Sequence, residues 1–189
     1  SYYEYLDSGK MKLVTLSDYS NKQYSDNWDK HTINFIIPDW VYDYKLPDIK
    51  KDFIYASSLM KGYGYTLEYW KYLKSINKLQ DKRLKVCLPG YDNPKNDISV
   101  DDLGVDYLST LTFKEVVELM AGCEGMFYAN LMTETFCISA VLAEILKTTP
   151  YIYCLNGYGA LREVLNSDTV VNNTKQFFDD VSNLSLIHI

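Results

Sequence analysis

The stretch that decides the fold runs from Met126 to Leu155 and reads MFYANLMTETFCISAVLAEILKTTPYIYCL. It opens on an apolar run at 126–128 and closes on another at 151–155, each typical of a buried strand. Between the two runs, apolar side chains recur at the spacing of a helix that packs on a sheet: Ile138, Val141, Leu142, Ile145 and Leu146. A strand, a helix and a second strand over this length predict a βαβ unit with parallel strands.

The same alternation extends over most of the chain. Further strands are predicted at residues 11–16, 32–37, 52–57, 84–88, 104–109 and 169–171, and further helices at 17–28, 65–77, 113–121, 161–165 and in the C-terminal tail. Ser17 is the expected N-cap of the first of these helices, and residues 92–102 are expected to form a polar loop. Repeated β and α units predict an α/β fold, a Rossmann-like parallel sheet with helices on both faces and ligands at the carboxyl ends of its strands.

One segment interrupts the alternation of strands and helices. Residues 39–51 are punctuated by Pro and Asp and show no period, so they are predicted to be a linker between a small unit at 1–38 and a main domain at 52–184. The chain opens at Ser1 with no signal-like segment. We expect a fragment of a longer protein, with residues 185–189 as a non-native tail.

Composition narrows the classes of partner. The hydrophobic content of 47% and the charged content of 23% are those of a globular protein, and no apolar run is long enough to span a membrane. A net charge of -6 leaves no basic excess for nucleic acid. The four cysteines form no metal-binding pattern and are expected to be reduced thiols, which favours a cytoplasmic protein. With only two histidines, catalysis based on histidine has few candidates.

The first candidate site is the segment 56–64, which follows a predicted strand and precedes a helix. It offers the hydroxyls of Ser57 and Ser58, the ammonium of Lys61 and the flexible glycines Gly62 and Gly64. Such a segment can cradle a diphosphate, or it can be a solvated turn. It lacks the spacing of a P-loop and of a dinucleotide fingerprint.

The second candidate site is the segment 129–139, between a buried strand and an apolar helix. Glu134 can cap the helix, since acidic residues are favourable at a helix N-terminus. It can also accept hydrogen bonds from sugar hydroxyls beside a phosphate that the amides of Thr135, Phe136 and Cys137 hold.

Four runs occur in an order that carries a family resemblance: Tyr55–Gly62, Leu108–Met120, Thr133–Ala140, and Pro150–Tyr153 with Asn156–Val164. From about Lys51 onward the chain resembles the C-terminal, donor-binding half of retaining GT-B glycosyltransferases with a glycogen-synthase-like nucleotide domain. The resemblance implies that residues 1–38 are a remnant of the acceptor domain and that residues 52–184 bind a nucleotide sugar.

The resemblance also implies roles for particular residues. Lys61, in the loop that ends at Gly62, contacts the donor diphosphate, helped by Ser57 or Ser58. The resemblance further implies that Thr110, Leu111 and Thr112 contact the nucleobase. It implies that Glu134 contacts the transferred sugar. The amides of Thr135, Phe136 and Cys137 are implied to contact sugar hydroxyls and the distal phosphate. The implied reaction is retaining glycosyl transfer to a glycan, protein or lipid acceptor, with the nucleotide diphosphate-sugar as co-substrate and no required metal or other cofactor. Without its N-terminal domain the chain is expected to bind donor weakly and to transfer nothing.

Two departures from the family pattern leave alternatives open. Ala56, Ser57 and Ser58 stand where many relatives carry an arginine, and Leu142 stands where a second glutamate holds the ribose. Glu144 is close in sequence, but it points about 200° away from Leu142 on a regular helix and reaches ribose only through a local irregularity. Otherwise ribose is bound another way, or the chain is a degenerate, non-catalytic interaction domain. A nucleotide-sugar epimerase is a further, weaker alternative, because no carboxylate and histidine set suits proton abstraction.

Overall fold

A computed structural model describes residues 2–33, 37–79, 81–90, 103–108 and 110–184. The strands are β1 Leu13–Thr15, β2 Lys30–Thr32, β3 Phe53–Ala56, β4 Leu84–Cys87, β5 Val105–Leu108, β6 Gly125–Asn130, β7 Thr149–Cys154 and β8 Val170–Val171. The helices are α1 Tyr2–Asp7, α2 Asp18–Asn21, α3 Asp39–Tyr42, α4 Tyr63–Ser75, α5 Phe113–Ala121, α6 Ile138–Ile145, α7 Leu161–Val164 and α8 Thr174–Leu184, with a 3-10 turn at Leu59–Lys61. The predicted loop at 92–102 and the predicted tail at 185–189 lie outside the described residues.

The main sheet has six strands in the order β5-β4-β3-β6-β7-β8. Every neighbouring pair is parallel, with Phe53 opposite Leu84 on one side of β3 and opposite Gly125 on the other. Numbered from its own first strand, this is the 3-2-1-4-5-6 order of doubly wound nucleotide-binding sheets. The predicted α/β, Rossmann-like fold is confirmed.

Helices cover both faces of the sheet, and aromatic side chains fill much of the space between the layers. α4 packs on β6 and α8 on β7, while α6 packs on β6 and β7 and touches α5. On the α4 and α8 side, Phe127 meets Trp70, Phe53 and Phe177 with ring centroids 5.2–6.2 Å apart. These rings are essentially inaccessible to water, so their burial provides a large part of the hydrophobic stabilisation of the domain.

The N-terminal residues form a small two-stranded parallel unit, β1 with β2. Ser17 caps α2 as predicted, by accepting a hydrogen bond from the N–H of Ser20. The prediction of a helix to residue 28 is wrong, because α2 ends at Asn21. The ammonium of Lys30 bonds the carbonyls of Asn21 and Tyr24, which a longer helix would use in its own ladder.

The strand predicted at 32–37 shares Thr32 with β2, and residues 34–36 of the predicted range lie outside the described part of the chain. The predicted linker at 39–51 contains the short helix α3, which begins after Pro38 and buries Val41. Among the described residues, no helix is long and apolar enough to cross a lipid bilayer.

Candidate active site

A cleft opens where the strand order of the sheet reverses. β3 and β6 are neighbours, but the chain continues from β3 to β4 on one side and from β6 to β7 on the other. In parallel sheets, the crevice outside the carboxyl ends of two such strands is the usual ligand site. The cleft here has a volume of about 410 Å³, and its lining residues are Leu16, Ala56, Ser57, Ser58, Lys61, Cys87, Leu88, Pro89, Leu111, Val116, Glu134, Thr135, Phe136, Cys137, Ile138 and Ser139.

An ion pair between the two predicted segments lies in this cleft. The Nζ of Lys61 is 3.1 Å from Oε1 and 2.9 Å from Oε2 of Glu134. The side chain of Glu134 is 4% exposed and that of Lys61 is 36% exposed. The ammonium therefore compensates a buried carboxylate while part of the lysine side chain still faces solvent. Sequence reasoning placed these residues in separate loops, and the structure brings them into contact.

Gly62 allows the two loops to approach each other. Its φ is +110°, and a Cβ built there would lie 2.0 Å from the carbonyl oxygen of Ala129. The N–H of Leu131 donates to the carbonyl of Lys61 at 3.0 Å, directly beside this contact. Gly62 is buried and lies outside the cleft lining, so its role in the structure is to let the two loops pack closely. Its contact with donor, as a member of the predicted donor-binding loop, stays a prediction.

The loop that carries Glu134 is fixed by its backbone. The N–H of Ala160 donates to the carbonyl of Glu134 at 2.8 Å, and a Cβ on Gly159 would lie 2.3 Å from the same oxygen. Phe136 is buried two residues further on, whereas Thr135 is exposed and lines the cleft. The loop therefore holds the carboxylate of Glu134 in one place without relying on the ion pair alone.

Helix α6 begins in the cleft with an unusual residue. Cys137 is its N-cap and has a φ of +64°, a left-handed conformation that a residue with a Cβ rarely adopts. Within the described chain, no side chain caps α6, and its first two residues, Ile138 and Ser139, line the cleft, so the uncapped start of the helix lies at the site. Ser139 in that turn donates to the carbonyl of Ala56 at 2.6 Å, which fastens the start of α6 to the end of β3.

Sequence reasoning missed Tyr128, a buried residue of β6. Its hydroxyl lies 2.8 Å from Oε1 of Glu134 and 2.9 Å from Oδ1 of Asn130. Burial, followed by the charge of Glu134, raises the pKa of Tyr128, so the hydroxyl remains a protonated donor. The signal in the sequence is a tyrosine and an asparagine two positions apart in an otherwise apolar strand, which places both on one face of the sheet.

The two predicted serines follow directly on β3, at the edge of the cleft. Ser57 and Ser58 both line the cleft, and the hydroxyl of Ser58 accepts the N–H of Met60 to cap the 3-10 turn. Ser57 lies beside the hydroxyl of Tyr128 and lowers its pKa, against the larger effect of burial. Ser57 is therefore close to Tyr128, the residue that contacts Glu134. Ser58 stabilises the turn that carries Lys61.

Residues 110–112, which are expected to flank a nucleobase, do not all lie in the cleft. Leu111 lines the cleft together with Leu88, Pro89 and Val116, which form an apolar wall on the β4 and β5 side. Thr112 is the N-cap of α5, and its N–H and hydroxyl both donate to Glu115 in a capping box. Thr110 is exposed and lies close to Gly90. Leu111 is therefore the member of this segment that the structure places in the cleft.

Glu144 lies away from the cleft. Its carboxylate accepts the N–H of Asn166 at 2.9 Å, and it is absent from the cleft lining given above. α6 runs unbroken over Ile138–Ile145, without the irregularity that would turn Glu144 toward a ligand, and Leu142 is buried in the core. The predicted contact between Glu144 and ribose stays a prediction.

The N-terminal unit contributes a segment that sequence reasoning did not assign to the site. Leu16 lines the cleft, and the hydroxyl of Ser17 donates to the carbonyl of Thr135, beside Glu134. We call residues 16–19 the strap. The carboxylate of Glu163 on α7 accepts both N–H groups at the start of α2, at 2.7 and 2.9 Å, and so holds the strap from its other side.

Two thiols line the cleft, but both are protonated at neutral pH. Burial raises the pKa of Cys87 and of Cys137 to about 12 in each case. They are therefore poor nucleophiles. In the part of the chain that the structure describes, no three His, Cys, Asp or Glu side chains are grouped to hold a metal ion.

A parallel sheet in this strand order, with a cation, a carboxylate and a helix N-terminus at its switch point, defines a Rossmann-like α/β domain of the GT-B type. No protein-family model and no curated protein sequence matches the chain.

Solved structures that share the fold include the following three. The chain is similar to a mutant of S. aureus TarM in complex with Fondaparinux, alpha-GlcNAc-glycerol and UDP, with a TM-score of 0.71 and 13% identity over 97% of this chain and 39% of that one. It is also similar to a mutant of Thermobaculum terrenum O-GlcNAc transferase, with a TM-score of 0.58 and 13% identity over 92% and 37%. The third is the GtfA/B complex, with a TM-score of 0.61 and 14% identity over 99% and 41%. The chain thus spans about two fifths of each neighbour, and the likeness is one of fold.

Proposed function

We propose that this chain is the donor-binding part of a retaining glycosyltransferase that takes a sugar from a nucleotide diphosphate-sugar. The observation that carries the proposal is the pairing of Lys61 with Glu134 in the cleft at the switch point of the sheet. The order of the four sequence runs and the fold shared with glycosyltransferases support it.

The walls of the cleft match the parts of such a donor. The apolar wall of Leu88, Pro89, Leu111 and Val116 suits a nucleobase. Lys61 and the uncapped first turn of α6 provide positive potential for the diphosphate. Glu134 then accepts hydrogen bonds from hydroxyls of the sugar.

In this proposal the protein assists the departure of the nucleotide diphosphate. As the bond from the sugar to the diphosphate breaks, negative charge grows on the phosphate oxygens, and Lys61 and the helix dipole stabilise it. These fixed charges supply the electrostatic stabilisation that other enzymes obtain from a divalent metal, so none is required. The acceptor, whether a glycan, a protein or a lipid, is proposed to be bound by residues outside the described cleft.

The proposal is tested by titrating the chain with UDP, UDP-glucose and the GDP and ADP equivalents while amide NMR signals are followed. We expect millimolar UDP or another of these nucleotides to shift the signals of Lys61, Glu134 and the first turn of α6. Lys61→Met is expected to weaken nucleotide binding by about tenfold, the loss of one charge-assisted interaction.

Two further variants sharpen the experiment. Glu134→Gln releases Lys61 from its ion pair, so UDP should bind at least as tightly, while the extra affinity of UDP-glucose over UDP is lost. Lys175→Met, on the exposed face of α8 and paired with Asp179, is the matched control and should bind like the parent. The proposal is wrong if no nucleotide shifts these signals, or if Lys61→Met and Lys175→Met behave alike.

One observation favours a second candidate, a non-catalytic domain of the same fold. Glu144, the glutamate nearest in sequence to the position of the family's second one, is engaged with Asn166 outside the cleft lining. Such a domain would keep the cleft without discriminating among sugars. Equal affinity of the parent chain for UDP and for every UDP-sugar tried would favour this candidate.

A further inference from the structure

The hydroxyl of Tyr128 lies between two acceptors, one of which is the carboxylate of Glu134 in the cleft. Oε1 of Glu134 is 2.8 Å away and Oδ1 of Asn130 is 2.9 Å away, and all three residues are buried. A tyrosine has one O–H proton, so it donates to one of the two acceptors at a time. Which acceptor takes the proton determines how the carboxylate of Glu134 is held.

The surroundings favour Glu134 as the acceptor. A hydrogen bond to a charged carboxylate is about twice as strong as one to a neutral amide. Oδ1 of Asn130 already accepts the N–H of Met132 at 3.1 Å, which fixes the orientation of that amide.

The two oxygens of Glu134 are therefore not equivalent. Oε1 receives both the hydroxyl of Tyr128 and the ammonium of Lys61, whereas Oε2 receives the ammonium of Lys61. The ring of Tyr128 is packed edge-on against Tyr55 at 5.7 Å, so it cannot shift without disturbing the core. A rigid donor thus holds one carboxylate oxygen and leaves the other for a partner in the cleft.

We propose that Tyr128 is a positioning residue for Glu134, and that its hydroxyl orients the carboxylate so that Oε2 meets the sugar of the donor. This inference rests on the proposed function for the identity of the ligand. The arrangement of the carboxylate itself exists without any ligand and can be measured separately.

The test uses Tyr128→Phe, which removes one oxygen and keeps the ring in the core. In the ligand-free chain we expect the side-chain carboxyl ¹³C signal of Glu134 to move and its relaxation to report greater motion. With ligand, we expect UDP affinity within about twofold of the parent and UDP-glucose affinity lower by about fivefold, the effect of one misplaced hydrogen bond.

The control is Tyr151→Phe, which also removes the hydroxyl of a buried tyrosine, but of one whose charged neighbours are Asp180 and Glu124 rather than Glu134. It should leave the carboxyl signal of Glu134 and the affinities for UDP and UDP-glucose unchanged. A general loosening of the core would change them in both variants. An unchanged Glu134 signal in Tyr128→Phe, with the variant folded by circular dichroism, overturns the inference. If the parent binds none of the nucleotides, the proposed function fails, while the ligand-free signal of Glu134 still decides the role of Tyr128.

Discussion

Two residues close to the site have left-handed backbone conformations, and they differ in chemistry: Gly62 is buried outside the cleft lining, and Cys137 lines the cleft. Gly62 has a φ of +110° and touches the end of β6, whereas Cys137 has a φ of +64° and begins α6. Glycine adopts such angles at little cost, but a residue with a Cβ is strained there by roughly 1–3 kcal/mol. The strain at Cys137 is therefore maintained by its surroundings, while at Gly62 the absence of a side chain is required.

Replacing Gly62 with Ala should destabilise the domain. The added Cβ meets the carbonyl of Ala129 and the N–H of Leu131, both backbone groups that cannot rotate away. We expect the free energy of unfolding to fall by at least about 2 kcal/mol in urea denaturation. Gly64→Ala is the control, because nothing lies within 4 Å of its Cβ. That change sits in α4 and should stabilise by up to about 1 kcal/mol; equal effects of the two would contradict the role given to Gly62.

At this scale the sequence indicates which residues form the cleft but not how they contact each other. Lys61 and Glu134 could be predicted because each lies in a loop between a strand and a helix, where charged groups collect. Their ion pair depends on β3 and β6 being neighbours, a long-range fact that periodicity does not contain. Tyr128 was overlooked because a tyrosine in a buried strand has the pattern of a core residue, and its hydroxyl matters only once Glu134 is beside it.

At the level of elements, α2 and α7 are joined by the carboxylate of Glu163. Glu163 places its carboxylate on the two free N–H groups at the start of α2, where the helix dipole favours negative charge. α7 is itself tied to the loop of Glu134 through the N–H of Ala160. The N-terminal unit and the Glu134 loop are thus attached to the same short helix.

Glu163→Ala should release the strap and leave the main sheet intact. Amide hydrogen exchange at Asp18 and Tyr19 is expected to accelerate by at least about tenfold, since two hydrogen bonds to a charged group are lost. Amides of β6 and β7 should be unaffected. Glu118→Ala removes an exposed glutamate that pairs only loosely with Lys114 at 3.7 Å, and should alter neither region. Equal protection of Asp18 in parent and Glu163→Ala would show that the strap is held by other contacts.

The elements with a strong period were predicted most accurately. The bounds predicted for α5, 113–121, are those observed, because its apolar face and its capping box at Thr112 specify the same helix. α2 was overestimated because the ammonium of Lys30, from the following strand, bonds the carbonyls that would extend the helix. α3 was missed because a helix of four residues is too short to show a period.

For the molecule as a whole, many weakly acidic groups are buried in their neutral forms. Burial raises the pKa of Cys123, Cys154 and Tyr151 to about 12, as it does for the two thiols of the cleft, and it also raises the pKa of Tyr63. In the unfolded chain these groups ionise near 9 for cysteine and 10 for tyrosine. The folded state therefore gains stability from them below pH 9 and loses it as the pH rises toward 12.

Alkaline titration should consequently unfold the chain. The contribution of these groups to the free energy of unfolding is expected to be constant below pH 9 and then to fall by about 1.4 kcal/mol per pH unit for each group that is ionised only in the unfolded state. Tyr151→Phe should reduce the slope between pH 10 and 12 by about one proton. Tyr5→Phe, at an exposed position, should not change it. Urea denaturation at a series of pH values measures both slopes, and equal slopes for the two variants would contradict the assignment.

The position of β3 in the middle of the sheet also has a consequence for how the molecule folds. On one side of β3, Phe53 pairs with Leu84 of β4, the next strand in the sequence. On the other side it pairs with Gly125 of β6, which is synthesised much later. Lys61 and Glu134 are 73 residues apart, so the lysine is synthesised well before its partner. Because closing long loops slows folding, the half-sheet of β3, β4 and β5 can assemble early, and the cleft appears only when β6 docks. A nascent chain that stops short of β6 therefore has its cation in place but no site.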